Sequence, residues 1–425
     1  MSDAHKTIAA VWKIESTRLI AAIASVTRDI GIAEELAQDA LVTALEVWPE
    51  QGIPENPGAW LMTAAKRRAL DSLRRGRMLV LKHAEIGREL EWQQQRLGDA
   101  MEHSLDQVID DDVLRLIFTA CHPVLAVEGR IALTLRLIGG LTTTEIARAF
   151  LVPEKTLGQR ISRAKKTLSE AHVPFETPGE DELRSRVESV LMVVYLIYNE
   201  GYTATSGDEW MRSALSEEAL RLGRMLGQFL PNESEVHALV ALMELQASRS
   251  AARRGKNGEA ILLPAQDRSL WDHAQIQRGM IALEQAQKLG GGAKPYALQA
   301  GIAACHMRAR TAEETDWDRI MLLYDALLQI NPSPIVALNR AVAVGMVQGP
   351  AAGLHALDTA ASLVDDPAPA GYHLFHSVRA DLLMKMGRLS EARHEIERAI
   401  AMTQNLREQE LLTTKLKHLE KAALV

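Results

Sequence analysis

The sequence predicts an all-α chain of several helical domains, and three observations carry that prediction. Aromatic residues make up only 4% of the 425-residue chain while Ala and Leu are plentiful, so few stretches offer the β-branched and aromatic runs that strands favour. Apolar residues recur at helical spacing in one segment after another. Pro, Gly and Asn-Pro breaks separate those segments.

The elements follow in order. Residues 15 to 48 read as two helices. In the second, Ala33, Leu36, Ala37, Ala40, Leu41, Ala44, Leu45 and Trp48 repeat at helical spacing, with Glu34, Glu35, Gln38, Asp39, Thr43 and Glu46 on the other faces. Pro49, Gly52, Pro54 and Pro57-Gly58 break the pattern, and a third helix starts near Ala59 and reaches about Arg75. Residues 78 to 112 read as a polar linker with some helix, ending in the acidic cluster Asp99, Glu102, Asp106, Asp110, Asp111 and Asp112. A second helical domain covers roughly 111 to 171, and the Pro- and acid-rich stretch from His172 to Glu182 marks a boundary. Beyond it come helical pairs: Arg319 to Ile330 stopped by Asn331-Pro332, Pro334 to Val347, then Gly371 to Met386 and Ser390 to Ala401 about Gly387-Arg388. Such pairs, with Ala at packing positions, read as degenerate tetratricopeptide-like repeats. Asn257-Gly258 is the one hairpin or loop signal.

Bulk properties exclude some functions. A net charge of -7 means that the chain as a whole is no basic nucleic-acid binder, although local patches survive that average. Cys121 and Cys305 stand far apart with no ligand-like spacing, so neither a disulfide framework nor a zinc site is expected, and no other metal or cofactor is implied. No signal peptide is visible, and the apolar run Val190 to Tyr198 has about half of the ~20 residues that a membrane span needs, so a cytoplasmic protein without a membrane partner is expected. No Gly-rich phosphate loop, G-x-S-x-G, H-E-x-x-H or metal-spaced Cys/His set appears, so an enzyme is not expected.

Two constellations remain. Lys66, Arg67, Arg68, Arg74, Arg75 and Arg77 crowd the third helix, opposed by Asp71, while Trp60, Leu61, Ala64, Ala65, Leu70 and Leu73 supply its apolar side. Such a helix packs on a domain and presents charge to phosphates. The second is a helix-turn-helix (HTH). Thr142-Thr143-Thr144-Glu145 offers an N-cap with a nearby acid, Ile146, Ala147 and Phe150 a buried face, Leu151 to Pro153 a turn. In the following helix Leu157, Ile161, Ala164 and Leu168 share one face, and Lys155, Thr156, Gln159, Arg160, Arg163 and Lys166 point elsewhere, which is the division a recognition helix needs.

These segments resemble the extracytoplasmic-function (ECF) sigma factors of bacterial RNA polymerase, over about residues 10 to 171. AEELAQDALVTALEVW (Ala33 to Trp48) is similar to the segment that binds the polymerase clamp helices, PGAWLMTAAKRRALDSLRR (Pro57 to Arg75) to the -10 promoter segment, and LTTTEIARAFLVPEKTLGQRISRAKKTL (Leu141 to Leu168) to the -35 reading HTH. The resemblance implies a sigma-2-like helical domain over 1–80, a linker over 81–110, a sigma-4-like HTH domain over 111–171 and a tetratricopeptide-like C-terminal regulatory domain over 183–425. It implies that Glu34, Glu35, Gln38 and Asp39 face core polymerase, whose clamp helices and flap are the partners. It further implies that the Trp48 to Asn56 loop captures an unpaired -10 base, that Lys66, Arg67, Arg68, Arg74 and Arg75 hold the -10 strand, and that Lys155, Thr156, Gln159, Arg160, Arg163 and Lys166 serve the -35 element. Many members carry Asn where Arg67 stands, and a cation where Gly158 stands. YLIYNEGY (Tyr195 to Tyr202) and LLPAQDRSLWD (Leu262 to Asp272) resemble a subgroup whose extension takes over control from a separate anti-sigma protein, with a protein partner for the repeats. A conventional HTH regulator with a repeat-type sensor is the alternative, and it leaves Ala33 to Trp48 unexplained. In the extension, the tyrosines and the Gln266 to Trp271 group read as a buried network that pins helices together.

Overall fold

A computed structural model describes residues 3–81, 105–150, 152–203, 211–255, 259–362, 373–403 and 405–422. The chain divides into two compact units, Met1–Leu196 and Ile197–Val425, with the division inside a helix.

The first unit begins with α1 (Asp3–Thr27), α2 (Ile30–Gln51) and α3 (Pro57–Leu81). The α1–α2 corner is tight: Arg28 takes φ 57, and the Asp29 carboxylate caps α2 by accepting from Gly31 N at 2.7 Å and Ile32 N at 3.0 Å. The sequence puts a break at Pro49, but α2 runs through it to Gln51, because a missing N–H so near the helix end forfeits one hydrogen bond only. Gly52, at φ 89, then ends the helix and donates to Trp48 O at 3.0 Å. Asn56 Oδ1 accepts from Ala59 N at 3.0 Å and starts α3, which is longer at both ends than its apolar pattern predicts. Ala33, Ala37, Ala40 and Ala44 are fully buried, so α2 lies close against its neighbours.

Next come α4 (Leu105–Ala120), α5 (Val127–Leu133) and a single π turn (Thr134–Ile138), then α6 (Thr143–Ala149), α7 (Glu154–Glu170) and α8 (Glu180–Tyr202). α1 is the central strut. It packs on α2, α3 and α4 and touches the π turn. Its Leu19, Ile20 and Ile23 are buried, as are Val113, Leu116 and Ile117 of α4. Each such side chain contributes roughly 1.5–3 kcal/mol by leaving water. The 172–182 boundary is pinned at one point. Phe175 is buried, and its carbonyl accepts from Arg28 Nη1 at 3.2 Å.

The second unit continues with α9 (Ser213–Phe229), α10 (Ser234–Ala247), α11 (His273–Lys288), α12 (Pro295–Arg308), α13 (Trp317–Ile330), α14 (Pro334–Val347), α15 (Pro350–Ser362), α16 (His373–Lys385), α17 (Leu389–Met402) and α18 (Leu406–Ala422). From α12 onward each helix packs on the next, the nearest-neighbour pattern of stacked helical pairs. The Asn257-Gly258 loop lies outside the described residues, but its flanks pair: Gly255 N donates to Glu259 O at 2.9 Å and Ile261 N to Arg253 O at 2.9 Å. Among the described residues no helix is long and apolar enough to cross a membrane.

Candidate nucleic-acid interface

The HTH is built as its residues dictate. Thr142 and Glu145 form a reciprocal capping box at the start of α6: Thr142 Oγ1 accepts from Glu145 N at 3.1 Å, and the Glu145 carboxylate accepts from Thr142 N at 2.7 Å. That backbone bond, against a lesser effect of burial, holds the Glu145 carboxyl below the ordinary carboxylate range. Thr144 Oγ1 donates to Glu154 Oε1 at 2.9 Å and ties α6 to the start of α7. α7 buries Leu157, Ile161, Ala164 and Leu168. Gly129 of α5 meets Ala164 so closely that a Cβ on the glycine would lie 3.3 Å from the alanine's. With that face fixed, Lys155, Gln159, Arg163 and Lys166 are exposed, and Thr156 and Arg160 half-buried beside them. Gly158 faces open space.

The cationic helix α3 buries Leu61, Ala65 and Ala69. Lys66, Arg67 and Arg68 therefore fall on its outer side, Arg67 exposed and the other two half-buried. Arg68 reaches back to α2, donating to Thr43 Oγ1 at 2.6 Å and standing 3.5 Å from the Asp39 carboxylate. Arg74 and Arg75 continue the helix, but their side chains lie outside the described residues. Trp48 is buried edge-on to Trp60, ring centres 5.4 Å apart, which fixes the corner before α3.

On α2 the four acidic and amide residues do not share one environment. Glu35 and Asp39 are exposed and Gln38 half-buried. Glu34, which the helical pattern places off the buried face, is itself only 3% exposed. Its Oε1 accepts from Arg136 Nε of the π turn at 2.7 Å and from Gln38 Nε2 at 2.7 Å, and its Oε2 pairs with Lys165 Nζ of α7. Burial alone would raise the Glu34 carboxyl; Lys165 and Arg136 outweigh it and hold the group below the ordinary range. The periodicity of α2 alone gives no sign of this, because Arg136 and Lys165 stand over a hundred positions along.

In the second unit the two aromatic segments meet through Arg249, which, like Arg253, sequence reading missed. Tyr198 donates to Met243 O at 3.1 Å and stacks on Tyr202, ring centres 5.5 Å apart. The Arg253 guanidinium lies 3.6 Å over the Tyr202 ring, and Arg249 bonds both Tyr202 Oη and, at 3.3 Å, Gln266 Oε1. Arg268 covers Trp271 at 4.5 Å and donates to His306 O and Ala309 O, both at 2.7 Å.

An exposed basic recognition helix and a cationic helix on one scaffold define a DNA-binding protein, and the comparisons narrow that class. Residues 15–78 match sigma-70 region 2, residues 115–168 match sigma-70 region 4, and residues 186–287 match a family of unknown function, DUF6596. An uncharacterized protein of Rhizobium meliloti is 40% identical over 393 residues, 92% of this chain and 91% of that one. The ECF RNA polymerase sigma factor SigK of Mycobacterium tuberculosis is 29% identical over 156 residues, 36% of this chain and 78% of that one. The probable ECF RNA polymerase sigma factor SigI of Mycobacterium tuberculosis is 26% identical over 172 residues, 40% of this chain and 57% of that one. The chain belongs to the ECF-type sigma factors and carries a helical C-terminal extension. It is an alternative sigma factor that directs transcription initiation, binding core RNA polymerase and promoter DNA in a family that performs no catalysis of its own.

Proposed function

We propose that α7 reads the -35 element through Thr156, Gln159, Arg160 and Arg163, with Lys155 and Lys166 on flanking phosphates. α3 and the short loop before it hold the -10 strand, with Lys66, Arg67, Arg68, Arg74 and Arg75 as its cations. Glu35, Gln38 and Asp39, with Glu34 once it is freed, meet the polymerase clamp helices in the cytoplasm, and the extension from 183 onward governs access through a protein partner of its repeats. What supports the reading above all is the division of α7: four side chains buried into the HTH, and amide and guanidinium groups exposed on the opposite side, where a major groove takes them. The Asp39–Arg68 pair joins the polymerase face of α2 to the -10 helix, which packs directly against it.

In vitro transcription with purified core polymerase and a pool of genomic promoter fragments tests this. New starts sharing a two-box motif, lost with Gln159→Ala together with Arg163→Ala, are the expected result. New starts that survive the pair of substitutions overturn the assignment of α7, and no new start at all moves the chain to promoter binding without polymerase.

A further inference from the structure

We propose that the extension carries a binding site for the oxyanion of a small molecule, a carboxylate or a phosphate, formed by the guanidiniums of Arg249 and Arg268 beside the indole of Trp271. These residues all belong to the second unit, so the inference goes beyond the promoter assignments of α3 and α7 and stands without them.

The backbone brings the three side chains to one corner. Asp272 N, next to Trp271, donates to Ser248 O, next to Arg249, at 2.9 Å. The Arg268 guanidinium lies 4.5 Å over the Trp271 ring and is anchored to the end of α12 through His306 O and Ala309 O. Arg249 is anchored by the Tyr202 hydroxyl and Gln266 Oε1. Every acceptor that holds the two arginines is neutral: a phenol, an amide and two backbone carbonyls. Among the described residues neither guanidinium has an ion-pair partner, and Glu313 and Glu314 act on Arg268 only from a distance. Two like charges therefore share a corner with no carboxylate paired to either. The His306 imidazole between α12 and this corner feels both of them, after burial.

The polar atoms left over at this corner are all donors. Trp271 is 4% exposed, and its Nε1–H meets no acceptor. Arg249 Nε is buried and also lacks one. Arg268 uses Nη1 alone for both carbonyl bonds, which leaves its Nε–Nη2 edge, the parallel pair of N–H groups that takes a carboxylate or a phosphate in two bonds. Capping α12 needs one nitrogen, which an ammonium supplies as well, so the cap does not account for the fork. Donors buried without acceptors are costly. An oxyanion accepts at several lone pairs, donates nothing and carries the missing charge, so it satisfies donors and charge together. Both arginines are half-buried, which leaves the corner open on one side for the rest of a molecule. An oxyanion bound there bridges the end of α10, the turn at Arg268 and the end of α12, and gives the extension a small-molecule input.

Indole N–H resonances of the full-length, nitrogen-15-labelled chain test the site, with Trp271→Phe picking out the Trp271 signal among the 7 tryptophans. Inorganic phosphate and acetate are titrated separately, against chloride at equal ionic strength. The expected result is a saturable movement of the Trp271 signal with phosphate or acetate and none with chloride. Whichever of the two saturates at the lower concentration names the group that the natural ligand carries. Arg268→Lys keeps the charge and the capping nitrogen but loses the fork, and should weaken binding about tenfold. The other indole signals, unmoved in that variant, show that the fold is kept. Arg249→Lys should weaken binding similarly from the other side of the corner. A Trp271 signal that neither phosphate nor acetate moves overturns the site. Movement with undiminished affinity in both lysine variants also overturns it, and means an adventitious ion only.

Discussion

The phosphate contacts of α7 make a prediction whose size follows from its exposed side chains. Lys155 and Lys166 lie outside the buried stripe of Leu157, Ile161, Ala164 and Leu168. The pairing of Lys166 with Glu170, 3.6 Å apart with side chains 73% and 66% exposed, is a screened surface pair of little strength, so a phosphate replaces it at small cost. Each phosphate neutralised adds about 0.9 to the slope of log affinity against log salt. Lys155→Gln with Lys166→Gln should therefore lower the slope of holoenzyme binding to a -35 duplex by roughly 1.8, which over a fourfold rise in salt is about a tenfold smaller loss of affinity. Preference for the correct -35 sequence should persist. Gln159→Ala should do the reverse, leaving the slope and costing about 1–3 kcal/mol of discrimination at one base pair. Anisotropy titrations at several salt concentrations measure both. An unchanged slope in the lysine variant, or lost sequence preference equal to that of Gln159→Ala, would refute the division of labour on α7.

Other expectations follow from single contacts. Thr142→Ala removes the cap of α6 and should cost about 1 kcal/mol in urea unfolding; an unchanged midpoint sinks it. Because the capping box lowers the Glu145 carboxyl in the folded state, its stabilisation is complete above the ordinary carboxylate range and fades as pH falls through the lowered value, and Thr142→Ala should flatten that dependence. Gly353→Ala should destabilise the second unit by about 1–3 kcal/mol, since a Cβ there would lie 2.7 Å from Gly345 Cα and 3.0 Å from Ala341 O; an unshifted thermal midpoint is the contrary result. Burial first, then Arg249 and Arg268, push the His306 imidazole down to about 4. The unfolded chain takes up that proton earlier, so stability falls with pH through the ordinary histidine range towards 4, and His306→Gln should remove that part of the loss.

Local structure was legible wherever a residue's neighbours in sequence decide it. The Thr142 cap, the α7 stripe and the bounds of α14, Pro334–Val347, follow from cap chemistry and from a period of 3.6. The end of α2 was not, because Pro49 reads as a breaker by rule, whereas so near the helix end its missing N–H forfeits a single hydrogen bond. Glu34 was misplaced for a different reason. Periodicity places a carboxylate by its own helix, but burial depends on which cations come from elsewhere in the chain, and Arg136 and Lys165 arrive only through the tertiary fold. The same limit applies to α3: density of Lys and Arg marks a cationic helix, but the docking of Arg68 on Thr43 and Asp39 is a property of the packed pair.

The extension poses the converse case, in which sequence supplied the participants and missed the connector. Tyr202 and Gln266 stand 64 positions apart (266 minus 202) and are joined by one guanidinium, that of Arg249, which bonds the Tyr202 hydroxyl with one nitrogen and Gln266 Oε1 with another. A planar fork reaches both acceptors at once; an ammonium on a flexible stem is a point donor with no fixed angle between its bonds. Arg249→Lys keeps the charge and should still lose one of the two bonds, about 1–3 kcal/mol of stability. Tyr202→Phe removes one acceptor, and the Arg249→Lys, Tyr202→Phe pair should fall short of the sum of the two single changes by 0.5 kcal/mol or more, on the order expected for partners in one network. Thermal or urea unfolding of the full-length chain gives all three values. Strict additivity would mean that Arg249 holds the two segments by bulk alone, and that their meeting is a by-product of helix packing rather than its cause.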